Sequence, residues 1–198
     1  MAKTEASAAL DACQEIAQNT ILEGATVSLA GMYGAMLYID FALSNATAHT
    51  GTKITVQVSS NTTGDEDWVD YYSFVSTTGT TNLEVITNNP LAAAGTSITC
   101  ASTTGYTAGT WIFLEDVSTF ANSEWCFVAL VTTNTSVTVL DGVTRQHAVN
   151  SIMNSVANRY AVALPETALR CRIVYDNTYD SDGATVAIRS RISDVTAI

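Results

Sequence analysis

Basic residues are scarce in this chain: eight Lys and Arg stand against nineteen Asp and Glu in 198 residues, a formal charge of −11. Free nucleic acid is therefore disfavoured as a direct partner, because such binding rests on Lys and Arg neutralising phosphates. Proline and histidine are scarcer still, at two residues each. Cys13, Cys100, Cys126 and Cys171 are far apart and form no C-x-x-C pair, which argues against a zinc site. They are expected as buried small hydrophobes, with a Cys100–Cys126 bridge as the leading exception. No window approaches the roughly eighteen apolar residues of a membrane span. Met1-Ala2-Lys3-Thr4-Glu5 also lacks the apolar run of a secretory signal. The expectation is a soluble chain made in a cytoplasm, with no membrane contact.

What is abundant is threonine, with thirty residues, beside eleven glycines and a charged fraction of only 14%. Such a composition favours pleated, half-buried strands over surface helices, so the expected class is mainly β. The length suits one domain carrying a small second one. Charge is unevenly placed. Residues 1–144 hold fourteen acids and two lysines, a net of −12, whereas residues 145–198 hold six arginines and five acids, a net of +1.

Residues 96–148 read as a small inserted β-barrel, because short alternating segments are separated by Gly, Asn and Thr turns at close spacing. Trp111-Ile112-Phe113-Leu114 and Trp125–Val131 are apolar on both faces, as strands buried between layers should be. The flanking segments 26–95 and 149–198 are then two parts of one discontinuous β-sandwich. Within it, Leu37, Ile39, Phe41 and Leu43 share one parity and Asp40 takes the other. Ile54, Val56 and Val58 alternate in the same way and suggest an antiparallel partner for that strand. Residues 1–25 form an N-terminal helix or arm, with a helix expected over 5–18 from the spacing of Ala6, Ala9, Leu10, Cys13, Ile16 and Ala17.

Near the end of the chain, Leu169, Cys171, Ile173 and Tyr175 alternate with Arg170, Arg172 and Val174. Val186, Ile188 and Ile192 alternate in turn with Arg189 and Arg191. These segments predict a β-hairpin with one oily face and four arginines gathered on the other. Like charges directly opposite are destabilising, so Arg170, Arg172, Arg189 and Arg191 call for acidic partners. A neighbouring subunit is the favoured source and the acidic portion of the same chain is the alternative.

Other candidates carry less chemistry. Asp65, Glu66, Asp67 and Asp70 surround Trp68 and are a weak calcium candidate without an EF-hand spacing. So are Asp176, Asp180 and Asp182, which an Asx-rich turn explains equally well. Trp68, Tyr71 and Tyr72 are a possible aromatic platform for a sugar. His49 and His147 have no acid or nucleophile close in sequence and are read as solvent-facing or structural. No catalytic residue is assigned and no cofactor is expected. A glycosidase needs two carboxylates at a defined separation, and no pair among these acids is singled out.

Two passages carry a resemblance. Ile98-Thr99-Cys100-Ala101-Ser102-Thr103-Thr104-Gly105-Tyr106, followed by Trp111-Ile112-Phe113-Leu114 and Ser136-Val137-Thr138-Val139-Leu140, resembles the SH3-like β-modules inserted in head and tail proteins of tailed bacteriophages. Arg172-Ile173-Val174-Tyr175-Asp176-Asn177, Asp180-Ser181-Asp182-Gly183 and Ile192-Ser193-Asp194-Val195-Thr196 are similar to the ends of such phage β-domains. The resemblance implies a non-enzymatic virion component assembled in the host cytoplasm, either a capsid decoration protein or a neck or tail component. Its partners would be itself and the major capsid protein or neighbouring virion proteins. A carbohydrate-binding or host-adhesion module is the competing expectation.

Overall fold

The computed structural model describes residues 4–32, 34–44, 48–64 and 67–196; Tyr33, Asp65 and Glu66 lie outside the described residues. The strands in chain order are β1 (Thr4–Ile16), β2 (Ile21–Glu23), β3 (Val27–Ser28), β4 (Met36–Leu43), β5 (Ala48–His49), β6 (Lys53–Ser59), β7 (Val69–Val75), β8 (Gly79–Thr80) and β9 (Leu83–Val85). They continue as β10 (Ser97–Thr99), β11 (Trp111–Glu115), β12 (Glu124–Thr132), β13 (Ser136–Val139), β14 (Ile152–Ala163), β15 (Arg170–Asp176) and β16 (Val186–Thr196). Two 3-10 turns, Phe120–Asn122 and Asn177–Tyr179, complete the order. The chain is mainly β, as its composition leads one to expect.

Two sheets face each other across the first core. One face belongs to the run β1–β16–β4–β14 of a nine-stranded sheet, and the other to the five-stranded sheet β2–β15–β6–β7, with β3 also on β15. Period-two alternation sends Leu37, Ile39 and Phe41 of β4, Ile54 and Val56 of β6, Ile173 and Tyr175 of β15 and Ile188 of β16 into the interior, all fully buried. Burying each such side chain stabilises the fold by about 1.5–3 kcal/mol before the entropy of ordering is counted.

The expected pairings within this region need correction. β15 and β16 do not form a hairpin: β15 pairs with β6, and β16 pairs with β4 and β1, in the opposite sheet. β4 and β6 likewise lie in opposite sheets. The alternation was sound, but the oily faces meet across the interior instead of lying side by side. The connection after β15 crosses the sandwich and is pinned by Asn177. Its buried side chain donates to the carbonyls of Ala17 at 3.1 Å and Ala184 at 2.8 Å, and accepts from Thr52 Oγ1 at 2.8 Å.

The N-terminal segment is also a strand and not a helix. β1 runs antiparallel to β16, with register shifts between Ala9 and Asp11 and between Asp11 and Gln14. Each shift breaks the period of two; Leu10 and Ile16 face the sandwich core while Cys13 faces the seam with the barrel, so their spacing of three imitates a helical face that they do not share.

A second core fills a small barrel. Its strands follow the ring β14–β11–β12–β13–β10–β9, and β9 pairs back to β14. The ring closes between β10 and β9 through a bridge from Ile86 to Cys100 and the hydrogen bond from Thr87 N to Thr99 O at 2.7 Å. The interior holds Ile98, Ile112, Leu114, Val128, Val137 and Val139 from residues 96–148, and Ile86, Leu91 and Met153 from outside that span. Tyr106 ties the rim to the wall by donating to the carbonyls of Asn82 at 3.0 Å and Met153 at 2.8 Å. Asp141-Gly142 makes the expected turn, and Gly142 has φ +71 with the Ala94 carbonyl 2.8 Å from where a Cβ would stand. All four cysteines are free and the Cys100–Cys126 bridge is not formed. Burial pushes the Cys13 and Cys171 thiols up to about 12.

β14 belongs to both bodies. Residues 152–154 pair in the barrel and residues 157–163 pair with β4 in the sandwich. Beside it, large rings sit on small residues: Phe113 and Trp125 of the barrel pack on Ala42 and Ala187 of the main sheet, with Trp111 and Ala157 adjoining. Trp125 Nε1 donates to the Phe41 carbonyl at 2.9 Å, which fixes the barrel wall to the sheet.

Candidate interface site

The outward parity of the central strands carries Asp40 on β4, Arg159 on β14, and Arg189 and Arg191 on β16. Arg159 and Arg189 stand directly opposite Asp40 on either side. The Asp40 carboxylate accepts from Arg159 Nε at 2.5 Å and Nη2 at 3.2 Å, and from Arg189 Nε at 3.0 Å and Nη2 at 2.7 Å. Arg191 Nη1 approaches to 3.5 Å. Asp40 is only 1% exposed. Aromatic faces hold the guanidinia in place: Arg159 lies 4.1 Å over Trp111, Arg189 4.9 Å over Trp125 and Arg191 5.1 Å over Tyr38. Burial, with Arg159 and Arg189 close by, lowers the Arg191 pKa, while Asp40 opposes the shift.

Two adjoining grooves, of about 460 and 310 Å³, lie between the main sheet and the barrel, and Arg159, Trp111 and Trp125 line the smaller. Arg189 and Arg191 are common to both. Arg145 enters the larger one, its Nη1 donating to Ala121 O at 2.9 Å and Asn122 Oδ1 at 2.8 Å.

The four arginines singled out in sequence therefore do not share one patch. Arg170 and Arg172 occupy the outer face of the five-stranded sheet, on the far side of the sandwich from Arg189 and Arg191, and each has an acid in its own chain. Arg170 holds the 59–67 loop through the carbonyls of Asn61 and Gly64, both at 2.7 Å, and Asp67 at 3.1 Å. Arg172 reaches Glu23 at 3.0 Å and Gln57 at 2.8 Å. Sequence reasoning missed Arg145 and Arg159 as members of the groove. Arg159 had a signal, since it falls on the outward parity of an alternating strand.

Trp68, Tyr71 and Tyr72 have different surroundings. Trp68 is clamped by Arg170 and Arg172 at 4.8 and 4.6 Å. Tyr72 lies across from the core residue Val56, with its ring 5.7 Å from Phe74. Tyr71 is the unpaired residue where the register shifts between β6 and β7. Tyr71 and Tyr72 remain exposed, at 44% and 51%.

The aspartate loop is spent on local structure. Asp176 accepts from Thr178 N at 3.0 Å and Oγ1 at 2.5 Å. Asp180 accepts from Thr50 N at 2.9 Å, Thr50 Oγ1 at 2.8 Å, Asp182 N at 3.2 Å and Ala184 N at 2.7 Å. Burial raises the Asp180 pKa, but these donors outweigh it and hold the carboxyl well below its ordinary range.

Asp180 also approaches His49 Nδ1 at 3.3 Å, while His49 Nε2 is 3.2 Å from Ser76 Oγ. The order Ser–His–Asp is that of a nucleophilic triad, yet the three side chains are at most 4% exposed and Ser76 Oγ accepts the Thr52 amide at 3.0 Å. They form an internal knot and not an open site. His49 is buried, not solvent-facing, and stacks on Phe41 at 5.5 Å. His147 is buried as well, bridging Glu124 at 2.7 Å and Asp116 at 3.5 Å. Among the described residues, no group of three or more His, Cys, Asp and Glu is placed to hold a metal.

No family model matches the sequence, and no curated protein matches it. Among solved structures, a chain of infectious bursal disease virus Gx strain is similar over 98% of this chain and 82% of that one, with 8% identity and a TM-score of 0.23. The virus's VP2 subviral particle gives 8% identity and a TM-score of 0.24 over 98% of this chain and 42% of that one. TM-scores this low do not establish a shared fold.

Two predictions follow from the site. Replacing Asp40 by Asn removes charge-assisted bonds worth about 1.5–3 kcal/mol each, discounted because the guanidinia keep some solvent. Urea denaturation of Asp40→Asn should show a loss of about 2–3 kcal/mol, whereas Lys53→Gln should stay within about 0.5 kcal/mol. The second concerns His49, whose pKa is lowered by burial against an opposing pull from Asp180. The unfolded chain then binds the extra proton, so stability is full above the unfolded pKa of about 6.5 and falls as pH drops below it. Melting temperature should decline below that pH in the native chain and decline less steeply in His49→Gln.

Proposed function

We propose that this chain is a non-enzymatic structural protein of a tailed-phage virion, working as a capsid decoration protein through the interfaces it makes with itself and the major capsid protein. The observation that carries this reading is the outer edge of the five-stranded sheet. β7 is the terminal strand there and exposes Val69 at 63%, Tyr71 at 44%, Tyr72 at 51% and Val75 at 42%. Natural sheets blunt such edges with charge, proline or short length. β7 carries one acid, Asp70, and a register shift at Tyr71, but five of its seven residues are Val, Tyr or Phe, which is the kind of surface that interfaces bury. The resemblance of the barrel passages to phage β-modules supports the same reading. A chain of 21.0 kDa can supply the roughly 800 Å² per partner of a standard interface.

Neck and tail components share this chemistry and differ in number, because they follow low-order rings while a shell repeats across its whole surface. Quantitative mass spectrometry of purified virions against the major capsid protein should find this chain in the hundreds of copies. A count of about six or twelve would move it to the neck or tail. Absence from the particle would contradict the virion reading and favour an adhesion module using Tyr71 and Tyr72.

A further inference from the structure

We propose that the groove between the main sheet and the barrel is a carboxylate-binding site that receives an acidic surface segment of a second copy of this chain. The inference deepens the interface reading above and rests on it. Its basis is an imbalance between donors and acceptors. Arg159, Arg189 and Arg191 share one carboxylate, and Arg191 comes no nearer to it than 3.5 Å. All three keep exposed surface, 21%, 30% and 31% of the side chain.

The acids in and beneath the groove are largely covered. Asp11, Asp40 and Glu124 are at most 5% exposed. Asp11 is satisfied by Ser190 Oγ and Ala25 N at 2.7 and 2.9 Å, and Glu124 by Thr144 and His147. Asp141 is the exposed acid at the rim. Four arginines line the two grooves against three acids, Asp11, Glu124 and Asp141, and the cluster is neutral by formal count once Asp40 beneath them is included. The rest of the chain then holds fifteen acids and four basic residues, which is the whole of the −11. Apart from Asp141, what the groove presents outward is guanidinium, whereas Glu15, Glu23, Asp70, Glu166 and Asp182 are exposed carboxylates elsewhere on the surface.

The ligand class follows from the same geometry. Asp40 already displays how these guanidinia take a carboxylate, with paired N–H donors from Arg159 and Arg189. The stacking on Trp111, Trp125 and Tyr38 and the tether of Arg145 to Ala121 and Asn122 fix the donors in advance, which lowers the ordering entropy of binding. A polyphosphate backbone would also find donors here, but it would have to approach a body of charge −11. Because the groove and the acidic surface are different patches, the contact is head-to-side and propagates from copy to copy unless it closes into a ring.

Sedimentation velocity of the isolated protein tests this. At low salt the native chain should self-associate, and high salt should dissociate it. Arg145→Gln combined with Arg191→Gln should weaken association by about tenfold or more while lowering the melting temperature less than Asp40→Asn does, since both positions leave the Asp40 bonds of Arg159 and Arg189 intact. Lys53→Gln, which removes one positive charge elsewhere, should associate like the native chain, and a hexaglutamate peptide should compete. A native chain that stays monomeric at low salt would overturn the inference, as would a double variant that associates normally. Oligothymidylate binding in the groove while hexaglutamate does not would also overturn it. None of these outcomes alters the copy number per particle, which judges the virion reading separately.

Discussion

Asp40 lies between Arg159 and Arg189 in direct cross-strand register, with Arg191 two positions farther along the same strand. A carboxylate this deeply covered is costly without its partners and is not by itself a source of large stability. Its consequence is selectivity of register. Sliding β14 or β16 by one residue against β4 would turn their apolar faces outward and carry arginine into the core that Leu37, Ile39 and Ile188 fill. The three central strands are thus fixed by a polar cluster on one face and by apolar packing on the other.

The same cluster sets what lies around it. Alanines at 42, 157 and 187 leave room for Trp111, Phe113 and Trp125 to seat the barrel beside the arginines, and those rings hold the guanidinia in turn. Since β14 runs through both bodies, the barrel is continuous with the sheet and not tethered by a loop. The groove is the crease between them. Its walls are held by main-chain pairing, so its donors are spaced by the fold and not by the ligand.

Much of this was legible in the sequence. The alternation in 36–43, 170–176 and 186–192 placed the correct residues inside, and the turns and apolar runs of 96–148 supplied four strands of the ring, which β9 and the start of β14 complete from outside that span. Which strands pair was not legible, because a hairpin and a crossing between sheets bury the same parity; β15 and β16 show this directly. β1 was misread because Leu10, Cys13 and Ile16, at a spacing of three, lie on different faces of a strand whose register shifts twice. Of the arginines, Arg189 and Arg191 face the groove and Arg170 and Arg172 do not, a division that only the assignment of strands to sheets decides. His49 meets Ser76 and Asp180 from positions 27 and 131 residues away in sequence, and no local pattern reports such a meeting.

The chain's polar chemistry is mostly turned inward, into the His49–Asp180 knot, the His147 bridge and the Asp176 turn. Two surface features stand apart from this interior chemistry: the apolar edge β7 and the guanidinia of the groove. On the proposed function both become covered in the assembled state. Hydrogen exchange of the free protein compared with the particle-bound protein tests that directly. Slowed exchange in residues 69–75 and in the groove segments 139–145 and 189–191, with the cores unchanged, is the result predicted. Exchange in those segments that is equally fast in both states would contradict it.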